Sequence, residues 1–242
     1  MSKIVAQGGA LLEISSLTKR YGEQVALDKV GFTVRQGEVL GLIGPNGAGK
    51  TTLLEALAGL LPAEEGSVTW RGTPLLRTRR RDCMFYVPDG IRPYADQSVG
   101  LVLSFVAEVY GRSQGIISDV VAKTGLHAVL AKRVHSLSKG FNRRMMLALG
   151  LLAPHPLLLM DEPFDGFDLK QAREMMPVLR AEAARGRTLL LSIHQLADAE
   201  RICDRFVLLS AGAVRGVGTL DELRSRIGSQ DAGLEEVFLA LA

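Results

Sequence analysis

One glycine-rich stretch, residues 44–52, carries the side chains best suited to chemistry. It reads Gly44-Pro45-Asn46-Gly47-Ala48-Gly49-Lys50-Thr51-Thr52 and fits the pattern G-x-x-x-x-G-K-[ST]. Its glycines allow backbone N–H groups to turn inward around a phosphate, and the N-terminus of a following helix adds partial positive charge. We expect Lys50 to place its ammonium on the β- and γ-phosphates of a nucleotide and Thr51 to bind Mg²⁺ through its hydroxyl. The stretch therefore predicts a binding site for the phosphate chain of a nucleotide.

The flanking sequence favours this interpretation over the alternative, a chance glycine turn. Residues 39–43 form an apolar run of strand length. Residues 51–58 have a helical pattern, and Gly59 stands where the C-cap of a helix belongs. A glycine loop between a strand and a helix is the setting that a phosphate-binding loop requires.

Two other apolar runs, residues 157–160 and 188–193, are each followed by groups that can act on a phosphate. Because the carboxyl ends of strands in an open α/β sheet form the ligand crevice, we expect these groups to meet there. Asp161 is expected to hold Mg²⁺, either directly or through a water. Glu162, the next residue of an extended chain, is expected to point the other way and to activate a water as general base. His194 is expected to donate a hydrogen bond to a γ-phosphate oxygen, although a lone histidine is more often a surface residue.

A second candidate anion site lies at Leu137-Ser138-Lys139-Gly140-Phe141, just before a helical stretch at 142–152 that is rich in Met and Leu. A Ser-x-Gly turn at the start of a helix can bind an anion. The alternative is an ordinary N-cap, and without the other motifs that is the interpretation this turn favours.

Strands and helices that position these groups are predicted from hydrophobic periodicity. Short strands are expected at 10–14, 25–27, 31–34, 67–70 and 84–87, with a terminal hairpin at 206–216 and short helices over 219–242. From about residue 98 to residue 150 the pattern is helical, which indicates a helical lobe inserted into an α/β domain.

Local signals give three more expectations. Pro177 should kink or divide the helix predicted at 171–184. Tyr21 is expected in the first loop, where its ring could stack on an adenine or simply pack. The basic run at 77–81 is interpreted as a solvated face in preference to a phosphate or lipid contact.

Composition limits the class of protein. The chain has 242 residues, is 47% hydrophobic and has a net charge of +3, which does not argue for nucleic acid. Its two cysteines match no metal spacing and suggest a reduced, cytosolic chain. The N-terminus is too short and polar for a signal peptide, and no apolar run reaches the roughly 20 residues that a membrane span needs.

The order of these motifs resembles that of the ATP-binding subunits of ABC transporters, from about residue 11 to residue 218. Residues 44–52 look like the Walker A motif and residues 157–161 like Walker B. The resemblance makes Glu162 the catalytic glutamate and His194 the switch histidine. It also makes Tyr21 the aromatic residue that stacks on adenine.

Two weaker motifs complete the resemblance. Residues 137–141 are similar to the signature motif Leu-Ser-Gly-Gly-Gln, with Ser138 and Gly140 kept and Lys139 and Phe141 replacing Gly and Gln. Residues 165–168 are similar to the D-loop, which adds Asp168 to the nucleotide-binding set.

The larger departure is at the Q-loop, where Asp89 follows Tyr86-Val87-Pro88 in place of the family's Gln. We expect Asp89 to face Mg²⁺ and the γ-phosphate, either as an added metal ligand or in a loop that stays withdrawn. The alternative is that Asp89 only caps a turn.

The resemblance implies an α/β fold with a P-loop NTPase core, an antiparallel β subdomain and an inserted α-helical subdomain. The core would span 1–90 and 157–218, the helical signature lobe 91–156 and a C-terminal tail 219–242. ATP and Mg²⁺ would lie between two copies, or between this chain and a similar subunit, each offering its signature turn to the other's nucleotide.

The implied activity is ATP hydrolysis that drives transport through a separate integral-membrane permease. The protein would be cytoplasmic and peripheral on the inner face of the cell membrane, and its C-terminal tail resembles that of exporter-type subunits. The alternative is a soluble ABC-type ATPase in cluster assembly or regulation. No nucleic-acid partner is expected.

Overall fold

The computed structural model describes residues 9–241, which form two sheets flanked by helices. The predicted polar N-terminus, residues 1–8, and the last residue of the predicted tail lie outside the described residues. The strands are β1 (Ala10–Tyr21), β2 (Gln24–Arg35), β3 (Val39–Ile43), β4 (Glu65–Trp70), β5 (Thr73–Pro74), β6 (Met84–Val87), β7 (Leu157–Asp161), β8 (Thr188–Ile193), β9 (Arg205–Ser210) and β10 (Ala213–Gly218). The α-helices are α1 (Lys50–Ala58), α2 (Val99–Val109), α3 (Gln114–Thr124), α4 (Lys139–Leu152), α5 (Leu169–Ala184), α6 (Leu196–Ile202), α7 (Leu220–Ile227) and α8 (Leu234–Leu241).

The two sheets differ in strand direction. The first is antiparallel, with the order β2-β1-β4-β5. The second has the order β10-β9-β3-β8-β7-β6 and is parallel except for β10, which pairs antiparallel with β9. Because β3, β8 and β7 are neighbours, their carboxyl ends lie side by side, with Ile43 opposite Ile193 and Asp161 opposite Ser192. This edge is where the three predicted strand-end motifs meet.

The central strands of the second sheet, β3, β7 and β8, are buried on both faces, and their successive side chains enter two different cores. In β7, Leu157 and Leu159 pack between the two sheets together with helix α1, whereas Leu158 and Met160 pack against the remaining helices. A strand covered on both faces is mainly apolar, which is why residues 157–160 of β7 and residues 189–191 of β8 read as continuous apolar runs.

Helices α2, α3 and α4 lie between β6 and β7 in sequence, where the helical lobe was predicted. Helix α4 joins them to the sheet, since Gly150 packs so closely that a Cβ there would lie 3.0 Å from Val87 and 3.3 Å from Met160. The residues of these helices and of the sheet form one continuous apolar cluster. The division at residues 91 and 156 stays a prediction.

The first sheet has longer strands than the sequence pattern predicts. β1 continues to Tyr21, so Tyr21 ends a strand and is not in a loop. A single strand, β2, replaces the two that were predicted at 25–27 and 31–34. Several register shifts between β1 and β2 interrupt the alternation of apolar residues, which explains why the pattern looked like separate short strands.

Two expectations about local structure need correction. Helix α5 is continuous through Pro177, so the proline does not divide it, and a kink at Pro177 stays a prediction. The basic run is not wholly solvated, because Arg80 is buried and its Nη1 donates to the carbonyl of Ala56 near the end of α1. The last carbonyls of a helix lack partners within the helix, and a guanidinium can satisfy them.

Candidate nucleotide-binding site

Close packing explains two glycines of the 44–52 loop. A Cβ at Gly44 would lie 2.2 Å from the backbone oxygen of Leu209. Gly49 is the N-cap of α1 with φ at 102°, and a Cβ there would lie 2.6 Å from the backbone oxygen of Ala26. Only glycine adopts this left-handed backbone without strain. The loop is therefore fixed between β9 and β2, with the N-terminus of α1 directly behind it.

Lys50 begins helix α1, and its ammonium is held by the loop's own backbone. Nζ donates to the carbonyls of Gly44 at 2.8 Å and Pro45 at 3.2 Å. It also lies 3.8 Å from Oε1 of Glu162. The ammonium is therefore a fixed positive charge between the glycine loop and the carboxylate that follows β7.

Asp161, the last residue of β7, is surrounded by hydroxyl groups. Thr51 Oγ1 donates to Asp161 Oδ2 at 2.6 Å, and the Tyr86 hydroxyl is 3.5 Å from the same oxygen. Ser192 Oγ donates to the other oxygen, Oδ1. Burial, reinforced by the nearby Asp161 carboxylate, raises the pKa of Tyr86, so its hydroxyl stays neutral at physiological pH. Thr51 and Asp161 thus present two oxygen atoms of the kind that Mg²⁺ prefers.

Glu162 does not have the extended backbone that the sequence predicts, because its φ is +47°. A left-handed conformation costs a non-glycine residue about 1–2 kcal/mol. Its backbone is held by two hydrogen bonds of 3.0 Å, from its N–H to Ser192 Oγ and from the N–H of Asp165 to its carbonyl. A turn, and not the alternation of a strand, therefore sets the direction of the Glu162 side chain.

The Glu162 carboxylate is bound from both sides. His194 Nδ1 lies 2.6 Å from Oε2, and the backbone N–H of His194 donates to the same oxygen at 3.2 Å. Lys50 faces the other oxygen. The Glu162 side chain is 17% exposed and that of His194 is 44% exposed, so the pair is open to solvent on one side. The groups expected to act on a γ-phosphate therefore lie together at one edge of the sheet.

The signature turn starts helix α4 and lies outside this group. Ser138 is the N-cap of α4, and its Oγ accepts the N–H of Phe141 at 3.3 Å. A Cβ at Gly140 would lie 3.1 Å from Gln171 Oε1 and 3.4 Å from the carbonyl of Gly166. Both residues thus have a role within the chain, and a contact with the nucleotide of a second copy stays a prediction.

Lys139 ties the signature turn to the segment that follows Glu162. Its Nζ lies 2.7 Å from Oδ2 of Asp165, and this hydrogen bond holds the pKa of the Asp165 carboxyl below its usual value. The aliphatic stem of Lys139 lies against Gly166, where a Cβ would be 2.5 Å from the lysine Cγ. The residue that replaces the family's usual Gly therefore makes a contact that Gly could not make.

Asp168 and Tyr21 have partners of their own. Asp168 caps helix α5, with Oδ1 accepting the N–H of Gln171 at 2.8 Å. Tyr21 pairs with Gln24 in the β1–β2 hairpin and is 49% exposed, with Lys19 Nζ 5.3 Å from its ring centre. The hairpin leads directly to Ala26, whose carbonyl lies beside the glycine loop. Stacking of Tyr21 on an adenine stays a prediction.

Asp89 follows β6 by two residues, and its carboxylate is ion-paired with Nη2 of Arg143 on helix α4. The Asp89 side chain is 41% exposed, whereas that of Arg143 is 5% exposed. A role for Asp89 as a ligand of Mg²⁺ stays a prediction.

Sequence reasoning missed three residues of this site: Ser192, Tyr86 and Arg143. Ser192 is the one polar residue between two leucines and an isoleucine in the buried strand β8, and that interruption was a usable signal. Arg143 and Arg144 stand side by side just before the apolar part of α4, so their positions in the sequence do not distinguish them. Only the three-dimensional fold shows which of the two arginines is buried in the site.

Over residues 9–241, no helix is long and apolar enough to cross a membrane. Within the same part of the chain, no group of three or more His, Cys, Asp or Glu residues is arranged to hold a metal ion. A Mg²⁺ ion that binds nucleotide needs fewer protein ligands than that, because phosphates and water supply the others.

Comparison with known proteins agrees with this geometry. Residues 27–165, more than half of the chain, match the family model described as ABC transporter. The chain is 32% identical to the ABC-type transporter ATP-binding protein EcsA of Bacillus subtilis (strain 168), over 96% of each protein. It is 34% identical to the Nod factor export ATP-binding protein I of Rhizobium meliloti (strain 1021), over 83% of this chain and 62% of that protein.

A solved structure, of an ATP-binding subunit of an ABC transporter, superposes with a TM-score of 0.87 at 33% identity. The alignment covers 96% of this chain and 99% of that one. The α/β fold with a P-loop NTPase core that the motifs imply is therefore confirmed. This chain belongs to the ABC transporter family of ATP-binding proteins and carries the ATPase domain of that family.

Proposed function

We propose that the side chains at the carboxyl ends of β3, β7 and β8 bind and hydrolyse Mg²⁺-ATP, and that this drives transport through a separate membrane permease. The observation that carries the proposal is the convergence of five groups from distant parts of the chain: Lys50, Thr51, Asp161, Glu162 and His194. These groups can supply what phosphoryl transfer to water requires: a positive charge beside the phosphates, ligands for a metal ion and a general base.

The residues present fit a Mg²⁺ ion. The Thr51 hydroxyl and one Asp161 oxygen lie 2.6 Å apart, so a small displacement suffices for both to bind one cation. Ser192 and Tyr86 orient the carboxylate from behind. Bound there, Mg²⁺ would neutralise charge on the β- and γ-phosphate oxygens.

The chain's own side chains have separate tasks. Lys50 binds the β- and γ-phosphates, and the backbone N–H groups of the 44–52 loop surround them. Glu162 accepts a proton from the attacking water. His194 in its doubly protonated form donates from both ring nitrogens, so it can hold Glu162 through Nδ1 and a γ-phosphate oxygen through Nε2. Tyr21 stacks on the adenine at the end of the β1–β2 hairpin.

A second copy, or a similar subunit, completes the site in this proposal. Ser138 and Gly140 stand at the N-terminus of the 14-residue helix α4, where backbone N–H groups and the helix dipole favour an anion. Neither residue contacts the Lys50 and Glu162 group of its own chain in any hydrogen bond or ion pair that the described residues make. The anion site at the start of α4 lies apart from the chain's own proposed nucleotide site, so in this proposal it binds the phosphates of the partner's nucleotide. Asp168 lies close by at the start of α5.

The proposed partner is an integral-membrane permease, which places the protein at the inner, cytoplasmic face of the cell membrane. Support comes from the family and from relatives named for export, such as the Nod factor export ATP-binding protein I. An exporter subtype follows from that likeness, and from the proposed resemblance of the C-terminal tail to exporter-type subunits.

The test is Glu162→Gln, with Glu108→Gln on the exposed side of α2 as the matched control. We expect Glu162→Gln to bind ATP, to lose hydrolysis and to double in mass on size-exclusion chromatography with ATP and Mg²⁺, because the base is lost while the closing contacts remain. The control should behave as the wild type. A Glu162→Gln protein that hydrolyses ATP at the wild-type rate would remove Glu162 from the role of base.

Copurification separates the transporter proposal from a soluble ATPase of cluster assembly or regulation. Affinity purification from membranes solubilised in mild detergent should bring down a multi-spanning membrane protein. Recovery of soluble partners alone would contradict the permease proposal and leave the ATPase roles intact.

A further inference from the structure

Arg143 on helix α4 has a buried side chain that donates hydrogen bonds to both ends of the turn around Glu162. Its Nη1 donates to the carbonyl of Asp161 at 3.3 Å, and its Nε donates to the carbonyl of Asp165 at 3.3 Å. These two carbonyls flank Glu162 on either side along the chain. No other side chain of the described residues donates to either carbonyl.

The turn needs such a restraint because Glu162 has a left-handed backbone. A residue keeps this conformation only when its surroundings over-determine it. Ser192 holds the Glu162 N–H from the side of β8, and Arg143 holds the flanking carbonyls from the side of α4. With the backbone held in this way, the Glu162 carboxylate lies between His194 and Lys50.

Asp89 supplies the charge that balances the buried guanidinium. Its carboxylate pairs with the third nitrogen of Arg143, Nη2, and is the only carboxylate in residues 9–241 that forms an ion pair with this arginine. A buried cation is stable only when it is paired. Asp89 belongs to the segment after β6, so the pair also fastens that segment to α4 and, through Arg143, to the turn of Glu162.

We propose that Arg143 is a positioning residue for Glu162 and Asp161, and that Asp89 acts on the site through Arg143 and not as a ligand of Mg²⁺. This inference rests on the proposed hydrolytic function of the same site. In this proposal, the Asp89–Arg143 ion pair restrains the backbone turn that carries Glu162, and so it orients the carboxylate that acts as general base.

The test is a double-mutant cycle of Asp89→Asn and Arg143→Met, with Arg144→Met as the control. Arg144 is the next residue of α4. It pairs with Glu174, donates to the carbonyl of Thr124 and lies over the ring of Phe167, and the hydrogen bonds of the described residues include none from Arg144 to the carbonyl of Asp161 or Asp165. Hydrolysis gives kcat and the Mg²⁺ concentration at half-maximal rate, and displacement of a fluorescent nucleotide gives the affinity for ATP. Thermal unfolding shows that each variant is folded.

Arg143→Met should lower kcat by about tenfold or more, as loss of an orienting partner does, with ATP affinity within about twofold of the wild type. Asp89→Asn should lower kcat in the wild-type background, where it leaves the arginine unpaired, and should have no further effect in the Arg143→Met background. Arg143→Lys keeps the charge but cannot reach both carbonyls, so its kcat should stay low.

Three results would overturn the inference. One is a wild-type kcat in Arg143→Met, and another is full recovery in Arg143→Lys, which would reduce the arginine to a counter-charge. The third is an Asp89→Asn effect of equal size in both backgrounds with a raised Mg²⁺ requirement, which would make Asp89 a metal ligand. A wild-type protein that binds ATP but never hydrolyses it would instead reject the proposed function.

Discussion

Ser192→Ala is the sharpest test of how the metal end of the site is held. Ser192 is fully buried, and its hydroxyl donates to Asp161 Oδ1 while accepting the N–H of Glu162. A hydrogen bond to a charged group contributes about 1.5–3 kcal/mol, and a buried N–H left without a partner costs about 1–3 kcal/mol. Because losses within one network do not add fully, we expect the free energy of unfolding to fall by about 2–4 kcal/mol.

The activity should fall for a different reason. Without Ser192, the Asp161 carboxylate still contacts the Thr51 and Tyr86 hydroxyls, but Glu162 loses one restraint on its left-handed backbone. Loss of a side chain that orients a metal ligand typically costs about 10–100-fold in metal affinity or activity. We therefore expect the Mg²⁺ concentration at half-maximal ATPase rate to rise by about 10–100-fold.

The matched control is Thr188→Val at the other end of β8. Thr188 is also fully buried, and its Oγ1 accepts the N–H of Gly37 at 2.9 Å, far along the strand from Asp161. The Thr188→Val variant should have a free energy of unfolding about 1 kcal/mol lower than the wild type, measured by urea unfolding of the nucleotide-free protein. Its Mg²⁺ requirement should be that of the wild type. If Ser192→Ala were destabilised but kept the wild-type Mg²⁺ requirement, Ser192 would be a core residue only and the reasoning would be refuted.

Two further variants separate the contributions to nucleotide binding. Lys50→Ala should abolish tight ATP binding, because it removes the buried ammonium that faces the β- and γ-phosphates. Equilibrium binding of a fluorescent nucleotide measures the effect, and a near-normal affinity would remove Lys50 from the site. Ser138→Arg should cripple hydrolysis while leaving ATP binding to the monomer intact, since Ser138 is proposed to face the nucleotide of the partner; lost monomer binding would contradict that assignment.

Much of the site could be predicted because its residues follow strong local patterns. The glycine loop lies between a strand and a helix, and both Asp161 and His194 end or follow apolar runs of strand length. Parallel strands bring such ends to one edge, so the sequence and one topological rule suffice to collect the groups. The family comparison then confirmed the fold and the ATPase class.

The remaining features depend on contacts that no local pattern encodes. The left-handed backbone of Glu162 follows from partners on β8 and α4, and an extended chain was the natural expectation after a strand. Likewise, the sequence pattern predicts two short strands where the structure has the single long strand β2, because the register of β2 against β1 shifts repeatedly. In the sequence, Arg80 looks like one more charged residue of a solvated run. The structure shows instead that it donates a hydrogen bond to a carbonyl near the end of α1.

The two adjacent carboxylates of the site are distinguished by the kind of partner each has. Asp161 is bound by the neutral hydroxyls of Thr51, Ser192 and Tyr86, which orient it but leave its charge for a cation. Glu162 instead lies between the Lys50 ammonium and the His194 imidazole, whose N–H groups can also donate to a phosphate. Burial raises the pKa of Tyr86, so this hydroxyl is a neutral hydrogen-bond donor to Asp161. The proposed division of labour between metal ligand and base would therefore arise from the partners, since the chain places the two residues one after the other.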